Sequence, residues 1–193
     1  MKYIYCIMLG VPIWYVLGIL IKFSPKIAEA TGVQGKVSVA DTVMYAYIGL
    51  SIGDLLCGWL SQVFKSRKKV VLGSILTSMV MCSVFLLTKG MSTTFFYSMS
   101  FILGMSIGYW GLFVTIASEQ FGTNLRATAA STVPNFVRGG VIPITLAYKS
   151  YEMMGETITG AVIVGAVTLG MALVAILLLK ETFGKDLNYF EKP

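Results

Sequence analysis

The feature that most constrains this chain is the spacing of its charges, which leaves uncharged stretches long enough to cross a bilayer. Residues 3–21, 70–88 and 157–179 are charge-free runs of 19, 19 and 23 residues, against the roughly 20 that a helix needs to span the hydrocarbon core. The run 90–118 is 29 residues long, and its loop-like start "GMSTT" leaves a span over about 94–117. Two further runs, 42–64 and 127–148, each contain a single charge, Asp54 and Arg138. The expectation is an all-α integral membrane protein of the inner or plasma membrane, one domain with six transmembrane helices over 3–21, 42–64, 70–88, 94–117, 127–148 and 157–179.

Composition agrees, and it excludes other classes. Charged residues make up 12% of the chain, about half the share usual in soluble domains. The net charge of +6 does not indicate nucleic acid, because most of the cations fall between apolar runs, where they flank a bilayer. There is no histidine, and Cys6, Cys57 and Cys82 lie far apart in apolar runs. No metal, redox or other cofactor is therefore expected, and no nucleophile or metal set suggests an enzyme. The first apolar run is longer than a signal-peptide core, and Pro25 and Lys26 precede the nearest cleavage-like "AEA", so it is expected to remain as a span.

Lysine and arginine counts set the orientation. With the N-terminus inside, Lys2, Lys65, Arg67, Lys68, Lys69, Arg126, Lys180, Lys185 and Lys192 are cytoplasmic. The opposite side holds Lys22, Lys26, Lys36, Lys89 and Lys149. Both termini are thus expected in the cytoplasm, and the loop 22–41 outside.

The two charges within spans are the first candidates for function. Asp54 lies 11 residues before Lys65, and Arg138 lies 12 after Arg126. At 1.5 Å per residue both sit about 17–18 Å from the cytoplasmic helix ends, near the midplane. Each would cost about 2.5–3.5 kcal/mol facing lipid, so both should face the bundle interior or a wet cavity. Ser51, Gly58, Ser61 and Gln62 share the helical face of Asp54, and Ser131, Asn135 and Thr145 that of Arg138. Two polar stripes on two apolar spans point to a shared cavity for substrate or coupling ion. The alternative is an ion pair or hydrogen bond that only holds helices together.

Small and aromatic residues add detail. Gly49 with Gly53, and Gly104 with Gly108 and Gly111, mark close helix contacts. Trp14, Tyr15, Tyr109 and Trp110 stand near mid-span, where aromatics are less expected than at the interface belts; they either line the cavity or pack. Pro12 and Pro134 are positions where spans can bend.

Four stretches carry a family resemblance. From Gly58, "GWLSQVFKSRKK" resembles the loop motif G-x-L-x-D-R-x-G-R-[KR] of the major facilitator superfamily: Gly58, Leu60 and Arg67 match, while Gln62, Val63, Lys65 and Ser66 replace its Asp, Arg, Gly and second Arg. "SEQFGTNLRATA" is similar to the family's E-x-[FY]-P-T-x-x-R-[AG]-[TS] segment through Glu119, Phe121, Thr123, Arg126, Ala127 and Thr128, with Gly122 for the proline. "VRGG" at 137–140 resembles the Gly-Arg-x-Gly of metabolite and sugar symporters, and "KETFGKDL" at 180–187 the Pro-Glu-Thr-Lys-Gly tail.

The resemblance implies the C-terminal six-helix half of a twelve-span transporter, built from two three-helix repeats. It implies alternating access about a midplane site and, as partner, an N-terminal six-span half or a second copy. Glu119, Arg126, Arg67 and Gln62 are then expected in a cytoplasmic gate. Asp54, Arg138, Asn135, Ser51, Tyr109, Trp110, Trp14 and Tyr15 are expected at the site for substrate and coupling proton. Arginine at mid-depth favours an anionic or hydroxylated small metabolite. The alternative is a non-transporting six-span remnant or scaffold subunit.

Overall fold

The computed structural model describes residues 1–186 and 188–190; Leu187 of the tail motif and Lys192 of the charge count lie outside them. Among the described residues the fold is entirely helical. Helix α1 (Lys2–Tyr15) continues into a π-helical segment (Val16–Ile21), and the short α2 (Ser24–Ala30) follows. Then come α3 (Val39–Val63), α4 (Arg67–Leu87), α5 (Thr93–Ser106), α6 (Trp110–Glu119), α7 (Thr123–Gly139), α8 (Val141–Met153) and α9 (Thr157–Leu178).

Among the described residues five stretches are long and apolar enough to cross a membrane: Lys2–Ile21, α3, α4, Thr93–Glu119 and α9. The run expected as a span over 127–148 differs. It folds as α7 and α8, of 17 and 13 residues, which meet at Gly140, and neither half is long enough alone. The run over 94–117 is also broken, at Ile107–Tyr109 between α5 and α6. Helix starts follow local chemistry: Ser38, Ser66 and Ser92 accept hydrogen bonds from Asp41 N, Lys69 N and Phe95 N at the heads of α3, α4 and α5.

The glycine pairs seat α3 against α5 backbone to backbone. A Cβ at Gly49 would run into the Phe101 carbonyl, one at Gly53 into Met105, and one at Gly104 into the Ala46 carbonyl. Gly108, just past the break, lies against the backbone of Gly53 and Asp54. Close approach of this kind requires glycine. The central element is α1 with its π extension, packed against α9, α7 and α6; in the most apolar stretch of Lys2–Ile21, 67% of the residues are buried, against 22% in that of α3. On the side of the α2 end, Lys26 pairs with Glu152 and Tyr45 stacks on Tyr97 at 5.5 Å.

Gly49→Ala should destabilise the bundle by about 1–3 kcal/mol, the usual cost of overpacking. Gly170→Ala, where a Cβ meets nothing within 4 Å, should not. Thermal unfolding of the two purified variants in detergent reads the difference, and equal melting temperatures would refute the seam.

Candidate functional site

The break between α5 and α6 places a helix N-terminus at mid-span, on the edge of an open groove. Its first amides need acceptors, and Tyr109 at the N-cap gives no side-chain bond. Asp54 on α3 supplies one, its Oδ1 accepting from Gly111 N at 2.8 Å. A carboxylate is favoured there by the helix dipole, and Gly111 leaves room: a Cβ would stand 3.2 Å from both carboxylate oxygens. This is how a charge is accommodated within an apolar span.

Arg138 approaches the same turn from the other side. Its guanidinium lies over the Trp110 ring, 5.5 Å from the centroid, a cation–π geometry, and its Nη1 donates to Asn135 Oδ1 at 3.2 Å. The depth argument thus brings both charges to residues 110–111, but Asp54 and Arg138 do not pair. The first turn of α6 stands between them. Trp14 packs edge-on to Trp110 at 6.3 Å, and its Nε1 meets no acceptor among the described residues.

The two tyrosines are elsewhere. Tyr15 is fully buried and donates to the Ala161 carbonyl at 2.7 Å; Tyr109 is fully buried and donates to the Leu9 carbonyl at 3.2 Å. Both hydroxyls donate to neighbouring backbone and tie helices together, away from the turn that joins Asp54 and Arg138.

An open groove of about 600 Å³ runs between α3 and α6, lined by Ser51, Asp54, Ser61, Gln62, Arg67 and Thr115 among others. It joins Asp54 at mid-depth to Arg67 at the helix end. On α7, Thr128, Ser131, Asn135 and Arg138 are all exposed along one face, while Ala129, Val133 and Val137 are buried on the other. Thr145 belongs to α8, beyond the break, and is not part of this face.

At the loop end Arg67 Nη2 meets Glu119 Oε1 at 2.8 Å, with side chains 18% and 10% exposed. Glu119 closes α6, where the dipole disfavours an acid, and Arg67 compensates. Arg126 lies half-buried in the first turn of α7. Gln62 is exposed on the groove wall. Lys65 has φ 48°, a left-handed conformation that favours glycine.

One residue was not anticipated in this network. Arg67, Lys68 and Lys69 open α4, where the dipole disfavours cations, and Glu181 from beyond α9 offsets them. Its carboxylate accepts from the Ser66 hydroxyl and from the amides of Arg67 (3.1 Å) and Lys68 (3.2 Å), and from those of Thr182 (2.9 Å) and Phe183 (3.0 Å). In return Lys68 Nζ donates to the carbonyls of Leu177 and Leu179 at the end of α9. The tail continues across α6 and α7: Gln120 Nε2 donates to the Lys180 carbonyl at 2.6 Å and Thr123 N to the Tyr189 carbonyl at 2.8 Å. The signal lay in the sequence as three cations heading a helix without a local acid.

Known protein families, curated proteins and solved structures yield no match to this chain.

Burial alone would raise the Glu181 carboxyl, but the Ser66 hydroxyl and the amides of Phe183, Arg67 and Thr182 outweigh it and hold it below its ordinary 4.5. Its contribution is therefore complete above pH 4.5 and is lost as the pH falls through the lower folded value. Glu181→Ala should cost about 0.5–2 kcal/mol, as for a lost N-cap, speed amide exchange at Arg67–Lys69 and flatten the acid limb of the melting curve. An unchanged acid limb would show that Glu181 does not cap α4.

Proposed function

We propose that the chain is one six-helix half of a secondary transporter of the major facilitator kind, which moves a small anionic or hydroxylated metabolite by alternating access. The observation that carries this reading is the pair of open polar faces on α3 and α7, which run from mid-depth toward the loop end in an otherwise apolar bundle. Ser51, Asp54 and Gln62 on one side, and Ser131, Asn135 and Arg138 on the other, are costly against lipid. They are accommodated against water and a second six-span unit, an N-terminal half or another copy.

The donors suit the substrate class. Arg138, the Asn135 amide and Trp14 Nε1 offer hydrogen bonds to oxygens, and the Trp14–Trp110 pair offers an aromatic wall. Asp54, the acid within the spans, is the proposed carrier of the coupling proton. The Arg67–Glu119 contact is the one expected from the two loop motifs, and the left-handed Lys65 stands where the family's loop has glycine; both support the resemblance. In this reading Arg67, Glu119 and Arg126, with Gln62 beside them, form the gate on the cytoplasmic side, where both termini lie, and the sixth span is the α7–α8 pair.

A second reading draws on the bond from Gly111 to Asp54, which a non-transporting scaffold would also need. Asp54→Asn separates the two, because its amide oxygen still accepts from Gly111 N while the charge is gone. Proteoliposomes carrying both halves should lose metabolite-driven proton uptake in Asp54→Asn with little change in melting temperature; retained coupling would favour the scaffold. Independently, a charged, impermeant maleimide should label Ser131→Cys much faster than Val167→Cys, which is exposed on α9, since the three native cysteines are buried. Equal rates at the two positions would remove the wet face on which the reading stands.

A further inference from the structure

A second groove opens on another face of α3, and its walls are of the opposite character. It has a volume of about 510 Å³ and is lined by Leu56 and Leu60 of α3 and Phe64 at its C-cap, by Lys69, Val70 and Gly73 of α4, and by Ile102 of α5, among others. Its polar neighbours are largely satisfied within the protein: Cys57 Sγ and Ser74 Oγ lie 3.3 Å apart, and the Ser106 hydroxyl bonds to Leu103 O and Ser78. The groove therefore asks for an apolar occupant.

Its length and position identify that occupant. From Gly53, at the inner end, to Phe64, at the helix end, is 11 residues, about 16 Å at 1.5 Å per residue. That is one leaflet of a hydrocarbon core about 30 Å thick. Among the lining residues Lys69 is the cation and is exposed, which places a positive charge at headgroup level beside the apolar walls. The α4 wall supports the same conclusion. Gly73 lies in the interior of α4, where glycine costs up to about 1 kcal/mol relative to alanine, yet a Cβ there would meet nothing within 4 Å. No helix contact requires it; the missing side chain keeps the groove open.

We infer that this groove is a binding site for an anionic phospholipid, one acyl chain lying between α3 and α4 and the phosphate held by Lys69. The inference rests on the membrane placement of α3 and α4 and not on the transport reading. It gives the open α3–α4 seam a fixed occupant on the face away from the polar groove.

Native mass spectrometry of the full chain, delipidated in mild detergent and then given phosphatidylglycerol or phosphatidylcholine, tests it. The expected result is one phosphatidylglycerol retained per chain under activation that strips phosphatidylcholine. Gly73→Phe should lose that lipid, because its ring occupies the groove from the α4 wall. Gly170→Phe, at an equally open glycine on α9, should keep it. Lys69→Ala, which leaves the helix packing intact, should lose the preference for phosphatidylglycerol while still binding lipid, and it keeps the test decisive if Gly73→Phe does not fold. Equal retention of the two lipids by the unmodified chain would overturn the inference. So would full retention of phosphatidylglycerol by both Gly73→Phe and Lys69→Ala, the result also expected if a partner helix occupies the groove.

Discussion

The polar half of this bundle is organised by a backbone debt. In a membrane every amide must find an acceptor within the protein, and the interruption at Ile107–Tyr109 leaves the head of α6 short of them. Asp54 reaches across from α3 to settle one, and Gly108 and Gly111 let α3 approach closely enough. Trp110, held at the same turn, offers its ring to Arg138. Acid, arginine and aromatic pair are thus not three independent oddities. They are what a broken helix needs around its exposed end, and they also place ionic groups on the rim of an open groove.

The loop end follows the same logic with helix dipoles. Three cations at the head of α4 and an acid at the tail of α6 all oppose the dipoles of their own helices. Each is answered from elsewhere in the chain: Glu181 caps α4, Arg67 meets Glu119, and Lys68 closes α9. Local frustration of this kind makes segments distant in sequence depend on one another. The tail past α9 is bound because α4 cannot start well without it, and in crossing α6 and α7 it fastens the elements that flank the groove.

Charge spacing made the spans legible, because a bilayer admits few other readings of apolar runs about 20 residues long. The breaks at Ile107–Tyr109 and Gly140 did not follow from charge spacing, which marks the ends of apolar runs and not interruptions within them; the glycines there, Gly108 and the Gly139–Gly140 pair, weaken a helix without deciding that it breaks. Helical rise gave Asp54 and Arg138 their common depth, since rise is an axial coordinate. It says nothing of azimuth between helices, so their pairing did not follow. The mid-span aromatics divided for a similar reason. Trp14 and Trp110 stand on the polar side, whereas Tyr15 and Tyr109 turn inward and satisfy their hydroxyls on carbonyls. The glycine motifs read correctly because each marks a contact that no other residue permits.

Helix α3 shows how these demands are reconciled in one element. Only 22% of its most apolar stretch is buried within the bundle, yet it carries Asp54 and borders both grooves. Three faces share it: glycines against α5, small and polar residues toward α6, and leucines and Phe64 toward the bilayer. A helix with so little side-chain burial is held chiefly by the backbone seam at Gly49, Gly53, Gly104 and Gly108. That seam fixes register along the axis through close carbonyl contacts while leaving both flanks open. The polar flank must then be covered by protein or water and the apolar flank by lipid, because the cost of exposing each runs in opposite directions. The chemistry of α3 therefore specifies two different environments on either side of one seam.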